Sequence, residues 1–473
     1  AAHGSSATRA AFGTGPNTFG LSWLTYKPAE VNQSQFWNLD FNVGYSTALT
    51  AYGTTGVLGV LGWLMPALLV LVGLLRAVRF KLIGREDRTV AVSLTLAALF
   101  LAGAVIFYVP SANILLLMMA LSGAAFGFLY RQGQAAAEET HSRVAYFASF
   151  VFLLVLVGLT AWQSAALARR LVAEAYVGLG TVALSANNLD AAINYGNKAK
   201  GVEATGDTLR FAATAGASKL RALAQDTTTE ASTIQQQFAT AVQDTLTVAG
   251  AAQAQNPHDY RPTLILAQVY DLLAQLKVQG ADAQARAAYD AAAAKDPTNP
   301  QIPLLRARLE AVLGDGAAVQ KQLQTALTLK PNYTDAMLFV VQLAIANNDL
   351  NTAVQAAGAA VQSAPGVPSL WFEYGLLLYS GNDSKDAVPA LEQAVKLQAD
   401  YANAKYFLGL AYWAQKNSAG AIQQFQDLAK SNPDNAEVKS ILANMEAGKD
   451  PFAGATPPAD TPPQKRTTAP VAQ

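Results

Sequence analysis

The chain has 473 residues, of which 52% are hydrophobic and only 14% are charged, and its 33 basic residues balance its 33 acidic residues. Soluble globular proteins carry about 25% charged residues, so the chain as a whole does not have the composition of an ordinary soluble globular protein. The zero net charge excludes the basic footprint of a nucleic-acid-binding protein, and the absence of cysteine is compatible with an oxidising compartment.

The first 52 residues are rich in glycine, proline, asparagine and aromatic residues. Within them, Gly13-Thr14-Gly15-Pro16-Asn17 can offer backbone N–H groups to an anion. Arg9 and Lys27 flank this segment and can complete a phosphate site. A turn that ends one helix and starts the next explains the same residues equally well. A nucleotide-binding loop is not expected, because Gly-Lys-Ser/Thr is missing.

Aromatic and acidic side chains follow this turn. The rings that can stack on sugars are Trp23, Tyr26, Trp37 and Tyr45. An interfacial aromatic belt is the preferred interpretation for Trp37 and Tyr45. Asp40 and Glu30 are the carboxylates of the loop, and Asp40 can act as a general base. The simpler alternative is that Asn38 or Asp40 caps the start of a helix.

Apolar runs predict four membrane helices, near residues 54–76, 89–109, 112–130 and 144–166. No charged residue occurs in the 42 positions between Arg88 and Arg131, which is enough for two spans of about 20 residues each. Pro110-Ser111-Ala112-Asn113 marks a turn in the middle of this gap. A buried core helix needs only about 10–14 apolar residues, so the run lengths favour a membrane.

Basic residues predict the orientation of these spans. Five of them follow the first run, namely Arg76, Arg79, Lys81, Arg85 and Arg88, and two more, Arg131 and Arg143, follow the third. Short loops rich in Lys and Arg stay in the cytoplasm. Residues 1–52 and everything after residue 168 are then extracytoplasmic, although Arg169 and Arg170 argue mildly for the reverse. We expect a multi-pass protein of the inner (cytoplasmic) membrane, in contact with membrane lipid.

The chain begins Ala-Ala-His without a signal peptide. Its first 52 residues read as a loop that an upstream span must deliver to the outside. We therefore expect the natural N-terminus to lie further upstream.

The second half of the chain repeats with a period of 34 residues. Pro297, Pro331 and Pro365 are followed at the same spacing by Ala399 and Pro433. This is the period of the tetratricopeptide repeat, a pair of helices joined by a turn. Pro257 precedes Pro297 by one period and a six-residue insertion.

Residues inside the period agree with this pattern. In the last repeat they are Leu408, Gly409, Tyr412, Ala421 and Phe425, and in the preceding one they are Trp371, Tyr374, Gly375, Ala387, Leu391 and Ala394. The repeat before that departs from the pattern at Val341 but keeps Ala353 and Ala360. Gly180, Ala192 and Ala199 predict a degenerate repeat directly after the last span. Residues 205–256 are predicted to be helical without an assignable register.

Stacked repeats form a solenoid whose concave face binds peptides or partner proteins. A docking surface for a protein or peptide is therefore the favoured interpretation, and a passive spacer is the alternative. The Pro/Thr/Ala-rich tail, residues 448–473, is predicted to be disordered.

Two segments near the N-terminus resemble a known family. GTGPNTF, a polar aromatic loop, and then TTGVLG at the start of a span are similar to the O-antigen ligase and polymerase superfamily over about residues 10–80. The residues that match are Gly13, Gly15, Pro16 and Phe19 in the first segment and Gly56 and Gly59 in the second. With its C-terminal tetratricopeptide repeats, the chain looks like the bacterial family members in which the ligase-like membrane part is fused to such repeats.

This resemblance implies an integral membrane glycosyltransferase. Such enzymes move an undecaprenyl-diphosphate-linked glycan onto an acceptor, without a metal or another cofactor. The family's ligases carry a functional histidine in the loop, whereas the histidines here are His3, His141 and His258. Asp40-Phe41-Asn42 occupies its approximate place. Either Asp40 substitutes, or activation occurs otherwise, or this chain does not transfer glycans.

Two hypotheses follow. In the first, the chain is a lipid-diphosphate-linked glycan ligase or polymerase, in which Lys27 and Arg9 pair with the diphosphate and Asp40 activates the acceptor hydroxyl. The substrate would lie against Gly13, Gly15, Pro16, Asn17, Trp23, Tyr26 and Asn42. In the second, the chain is a non-enzymatic, membrane-anchored scaffold of the cell envelope.

Both hypotheses share one all-α architecture. An extracytoplasmic loop (1–52) precedes a membrane helix bundle of four spans (53–167), and degenerate helical repeats (168–256) lead into a tetratricopeptide α-solenoid (257–447).

Overall fold

A computed structural model describes residues 6–15, 18–79, 85–134, 143–227 and 229–454. Regular structure in these residues is entirely helical, which confirms the predicted all-α class. The chain divides into two compact units, Ala1–Asn299 and Pro300–Gln473. Several predictions fall outside the described residues, namely those on His3, Pro16, Asn17, Lys81 and His141 and on the tail from residue 455 onward.

The first unit begins with short helices and continues with long apolar ones. Two short helices, α1 (Ser6–Phe12) and α2 (Phe19–Tyr26), and a 3-10 turn (Ala29–Gln33) precede α3 (Thr47–Arg79). Gly56, with φ of 68° and ψ of −165°, kinks α3. The next helices are α4 (Arg85–Phe107), α5 (Ala112–Gln134) and α6 (Arg143–Ser185).

Two helices, rather than the predicted four, are long and apolar enough to cross a membrane in the described part of the chain. They are Thr47–Arg76 and Asp87–Phe107, and in an apolar 18-residue stretch of each only 11% and 28% of the residues are buried by protein. The described side chains of α5 include the apolar stretch Asn113–Leu129, and the side chains of the flanking Ala112 and Tyr130 lie outside the described set. The fourth predicted span coincides with the first half of α6, where many side chains lie outside the described set. For the described residues, the prediction of four spans is therefore corrected to two.

Helical hairpins complete the first unit. They are formed by α7 (Leu189–Val202), α8 (Gly206–Gln225), α9 (Ala231–Gln255), α10 (Tyr260–Gln275) and α11 (Ala281–Lys295). The C-terminal part of α6 packs against α7, α8 against α9, and α10 against α11. Gly180 lies where α6 closely approaches the Phe211 ring of α8, because a Cβ at this position would be 2.4 Å from Phe211 Cζ. Ala192 and Ala199 are fully buried, as expected for a packed helix pair in the predicted degenerate repeat.

The second unit shows the 34-residue period in its helix boundaries. Its first helices are α12 (Gln301–Leu313), α14 (Thr334–Ala346), α16 (Pro368–Ser380) and α18 (Ala402–Ala414). Each is paired with a second helix, namely α13 (Gly316–Leu329), α15 (Leu350–Ser363), α17 (Ser384–Leu397) and α19 (Ser418–Ser431), and α20 (Ala436–Glu446) closes the unit. The second helices therefore begin at positions 316, 350, 384 and 418.

The turn within each pair is built the same way four times. The residues with positive φ are Gly314, Asn348, Asn382 and Lys416. Each is followed by a capping residue, Asp315, Asp349, Asp383 or Asn417, whose side chain accepts a hydrogen bond from the backbone N–H three residues later. Such caps satisfy otherwise unpaired amides and favour helix initiation at that residue. Local chemistry therefore sets the start of every second helix.

Packing between paired helices is complementary in volume. A Cβ on Gly409 would lie 2.6 Å from the ring of Phe425, and one on Gly375 would lie 2.6 Å from Leu391 Cγ. Where Val341 replaces the glycine, the facing position holds Ala357, and both are buried in one cluster. A larger residue on one helix is thus offset by a smaller one on its partner, as close-packed interiors require.

Candidate functional site

The glycine-rich segment of the N-terminal loop forms a turn between α1 and α2. The Thr14 amide donates to the Gly53 carbonyl at 3.1 Å, and the Gly15 amide donates to the Thr54 carbonyl at 2.7 Å. These two amides are therefore not available to an anion. The side chain of Arg9, and the whole of Pro16 and Asn17, lie outside the described residues. For the described residues of this segment, the geometry therefore agrees with the alternative that it is only a turn that ends one helix and starts the next.

The two segments that carry the family resemblance lie against each other. A Cβ on Gly13 would be 2.4 Å from the Thr54 carbonyl carbon, and one on Gly56 would be 2.3 Å from the Ala11 carbonyl oxygen. Both glycines have positive φ, which other L-residues adopt only at a cost. These glycines therefore bring α1 and the kink of α3 into backbone contact.

The predicted sugar-stacking residues have different surroundings. Trp23 donates from Nε1 to the Leu39 carbonyl at 3.2 Å, and its ring lies edge-on against Phe41 at 5.0 Å. Tyr26 and Tyr45 are 77% and 83% exposed. Asn42 is exposed beside Gly20. Trp23 thus contributes to the packing of the loop, whereas Tyr26 offers a free ring.

Lys27 and Asp40 lie in a cluster of charged residues that also includes Asp259, Arg261 and Asp296, here named the loop cluster. The Lys27 ammonium donates to the Trp37 carbonyl at 3.0 Å. Arg261 makes two hydrogen bonds to the Asp259 carboxylate, at 2.8 and 2.9 Å, and lies 3.7 Å from Asp40 Oδ2. The cluster joins the N-terminal loop to the start of α10 and to the turn after α11.

Burial dominates the electrostatics of the loop cluster. Burial lowers the pKa of Lys27, whereas the negative charges of Asp296 and Asp40 act to raise it. Burial raises the pKa of Asp40, and the Arg261 charge works in the other direction. The pKa of Asp296 is raised by burial too, although a hydrogen bond from Asn299 and the Lys27 charge oppose the shift. Opposite charges therefore only partly offset the cost of removing these groups from water.

A hydrogen bond from Asn32 fastens the same loop to the end of the first unit. Asn32 is fully buried, and its Nδ2 donates to the Thr298 carbonyl at 2.8 Å across 266 residues of sequence. The sequence analysis missed Asn32, Asp259, Arg261 and Asp296. Asp259, Arg261 and Asp296 gave only the signal of charged residues inside a helical array, which surface residues give as well, and Asn32 is one of several polar residues in the loop.

The loop cluster is closed rather than open to a large substrate. Lys27 is only 7% exposed and Asp296 only 2%, so a diphosphate cannot reach the Lys27 ammonium without movement of the loop. Among the described residues, no group of three or more His, Cys, Asp or Glu side chains is arranged to hold a metal ion. The arrangement is suited to holding the loop on the helices.

A second candidate surface lies on the first helices of the repeats in the second unit. Ile345, Tyr379 and Trp413 occupy equivalent positions 34 residues apart, and Ile345 is 47% exposed. The Arg308 guanidinium lies over the Phe339 ring at 5.6 Å from its centre. Tyr379 and Trp413 are half-buried and pack in part against the core of this unit. Apolar and aromatic side chains that stay partly accessible are typical of protein-binding surfaces. This row of residues is here named the repeat ladder.

Glu373 lies on α16 within this unit, and burial raises the pKa of its carboxyl. A raised folded-state pKa gives stability that is complete below the unfolded-state pKa and is lost as the pH rises through the folded-state value. We expect Glu373→Gln to raise the free energy of unfolding at neutral pH, and to leave it unchanged near about pH 4, where the unfolded-state carboxyl is also protonated. Chemical unfolding at both pH values measures this, with Asp400→Asn at an exposed turn as the control. An equal effect at both pH values would contradict it.

A family model described as a tetratricopeptide repeat matches residues 157–207 and 372–436. The first match covers the second half of α6 and all of α7, where Gly180, Ala192 and Ala199 predict a degenerate repeat. The second begins within α16, at residue 372, and runs through α17, α18 and α19 to the first residue of α20. No curated protein matches the chain.

Solved structures of repeat proteins resemble the chain in part. YrrB, described as a tetratricopeptide repeat protein with an unusual peptide-binding site, is 17% identical, with a TM-score of 0.31, over 39% of this chain and 93% of YrrB. Yeast Tom70 is 14% identical, with a TM-score of 0.41, over 70% of this chain and 61% of Tom70. MamA from Desulfovibrio magneticus RS-1 is 18% identical, with a TM-score of 0.29, over 36% of this chain and 97% of MamA.

The family match, the 34-residue spacing of the helices and the repeated caps agree with one another. Tetratricopeptide repeats are therefore part of this chain, in both of its compact units.

Proposed function

We propose that the chain is a membrane-anchored scaffold whose tetratricopeptide repeats dock a protein or peptide partner. The observation that carries this proposal is the series of four helix pairs with a constant 34-residue spacing, which the family match supports. Repeats of this kind stack into extended surfaces that are used for binding. The repeat ladder supplies the exposed Ile345 and the half-buried Tyr379 and Trp413 on such a surface.

Two observations support the membrane part of the proposal. The helices Thr47–Arg76 and Asp87–Phe107 are long, apolar and mostly uncovered by protein, which suits contact with lipid better than a protein core. The loop before α3 contacts α10 and the turn after α11, so the loop and these helices must share one side of a membrane. The basic residues after the first apolar run favour the extracytoplasmic side.

Site-specific photocrosslinking tests the docking surface. We expect a photoreactive phenylalanine at Ile345, in the full chain in its native membrane, to form a discrete protein adduct. The control carries the photoreactive phenylalanine at Lys321 instead, a residue that is exposed on the second helix α13. Tyr379→Ala, one repeat along the ladder, should reduce the Ile345 adduct about fivefold or more, as loss of an aromatic contact residue does. An adduct at Lys321 alone, or none at either position, would contradict the proposal.

Glycan transfer from a lipid-linked donor stays a prediction based on the resemblance. The described geometry does not favour it over the scaffold, because Lys27 is buried and donates to a backbone carbonyl. An assay of transfer from an undecaprenyl-diphosphate-linked donor, with Lys27→Gln and Asp40→Asn, tests it directly.

A further inference from the structure

The chain after α20 begins like the turn inside a repeat but does not continue into a second helix. Gly448 has positive φ, and the Lys449 amide donates to the Asn444 carbonyl at 2.8 Å, as the amide at this place does in the two preceding repeats. Those repeats have an Asp or Asn side chain here that caps the next helix. A lysine side chain has donors only and cannot serve as such a cap. Residues 449–454, here named the terminal segment, therefore take another path.

The terminal segment folds back on α20 as a tight turn. Asn444 on α20 donates from Nδ2 to the Pro451 carbonyl at 3.1 Å and to the Ala453 carbonyl at 2.9 Å. The Asp450 carboxylate accepts a hydrogen bond from the Phe452 amide at 2.9 Å, and the Asp450 carbonyl accepts one from the Ala453 amide at 2.9 Å. The turn is thus held by one side chain of the helix and by its own first residue.

The apolar side chains of this turn pack where the repeat ladder ends. Pro451 is buried, and Phe452 is partly buried against the core cluster that α16 to α20 form. Tyr379 and Trp413, the last two residues of the ladder, pack against the same cluster. Burial raises the pKa of Tyr379, and the nearby negative charge of Asp450 raises it further. The terminal segment therefore lies at the C-terminal end of the ladder.

The seated segment indicates which ligand this end of the ladder accepts. Asn444 contacts backbone carbonyls, which every peptide has, so it selects a turn rather than a sequence. Pro451 and Phe452 supply the apolar contacts that depend on sequence. Proline also fixes its own φ near −65°, so a turn that contains it loses less conformational entropy when it is ordered. A proline followed by an aromatic residue is therefore the feature that a ligand must share.

We propose that the C-terminal end of the repeat ladder binds a partner segment with a proline followed by an aromatic residue, and that residues 450–452 occupy this site until such a segment displaces them. The proposal rests on the docking function proposed above and names the motif that the partner presents. A short tether gives the chain's own segment an effective concentration of about millimolar. A partner must therefore compete with a covalently attached copy of its own motif.

The test uses a fluorescently labelled peptide, Lys-Asp-Pro-Phe-Ala-Gly, which has the sequence of residues 449–454. Anisotropy measures its binding to the full chain in detergent and to Phe452→Ala. The variant lacks the ring that holds the attached segment in place, so we expect it to bind the peptide about tenfold or more tightly than the unaltered chain. A peptide with alanine in place of phenylalanine should bind to neither protein.

Asn444→Ala, added to Phe452→Ala, should weaken peptide binding about five- to tenfold, because two hydrogen bonds to peptide carbonyls are lost. Ser440→Ala in the same background is the matched control, since Ser440 is exposed on the same helix. It should leave peptide binding unchanged. Equal effects of the two substitutions would contradict the role of Asn444 and overturn the site.

Hydrogen exchange of the unaltered chain covers the case in which Phe452→Ala disturbs α20. An excess of the peptide, at about millimolar concentration, should accelerate exchange of the Phe452 and Ala453 amides and leave the amides of α18 unchanged. Exchange that the peptide does not alter, or equal peptide binding by the unaltered chain and Phe452→Ala, would show that the terminal segment only closes the last helix. Either result would overturn the site, and the Ile345 adduct, if still formed, would leave the docking function in place.

Discussion

Replacing Phe425 by alanine is expected to lower the free energy of unfolding of the last repeats by about 3–5 kcal/mol. Phe425 is fully buried, and its ring lies 5.3 Å from that of Tyr406 and directly against Gly409. The cavity left by the ring cannot close easily, because the backbones of α18 and α19 are already held together by their turn. Hydrogen exchange of the full chain in detergent measures the change as faster exchange of the amides in α18, α19 and α20.

Gln423→Ala is the control for this prediction. Gln423 is exposed on the same helix, and surface substitutions usually change stability by about 0.5 kcal/mol or less. Equal exchange in the two variants would contradict the assigned role of Phe425. Faster exchange spread evenly over both compact units would instead indicate that the repeats do not unfold locally.

The repeat architecture was the part of the fold that the sequence could predict best. Gly375, Gly409, Ala387 and Phe425 act through contacts within one helix pair, and such local contacts recur at every period. The sequence already showed that Val341 stands where the two following repeats have a glycine. That the smaller Ala357 compensates for it could be recognised only from the structure, which shows the two residues packed together on paired helices. The hairpin of α8 and α9 had no assignable register, because its helices of 20 and 25 residues do not follow the 34-residue period.

The candidate site was less predictable for a physical reason. Lys27 and Asp40 were selected as chemically capable residues, and the structure places them in one cluster. Their partners Arg261 and Asp296 lie more than 200 positions away in sequence, and no periodic pattern relates such positions. In the described part of the chain, the structure has two candidate membrane spans rather than the predicted four, and the third and fourth predicted spans include side chains outside that part.

Arg261→Met is expected to release the N-terminal loop and to destabilise the first unit by about 3 kcal/mol. Removing one partner of a buried ion pair costs about 3–5 kcal/mol, because the remaining charge stays buried. The lower end applies here, since the Arg261 side chain is 34% exposed while Asp259 is 7% exposed. Hydrogen exchange of the amides between residues 27 and 40, compared with those of α10, measures the release.

The pH dependence and a matched variant separate this effect from general loss of packing. Burial already raises the pKa of Asp40, and Arg261 opposes that shift, so the variant should raise the pKa further. A raised folded-state pKa adds stability below the unfolded-state value, and the deficit should therefore shrink as the pH falls towards about 4. Arg286→Met, with the same 34% exposure but a surface pairing to Asp282 at 3.5 Å, should cost less than about 1 kcal/mol. A deficit that is equal in both variants, or independent of pH, would show that the loop cluster does not hold the loop on the helices.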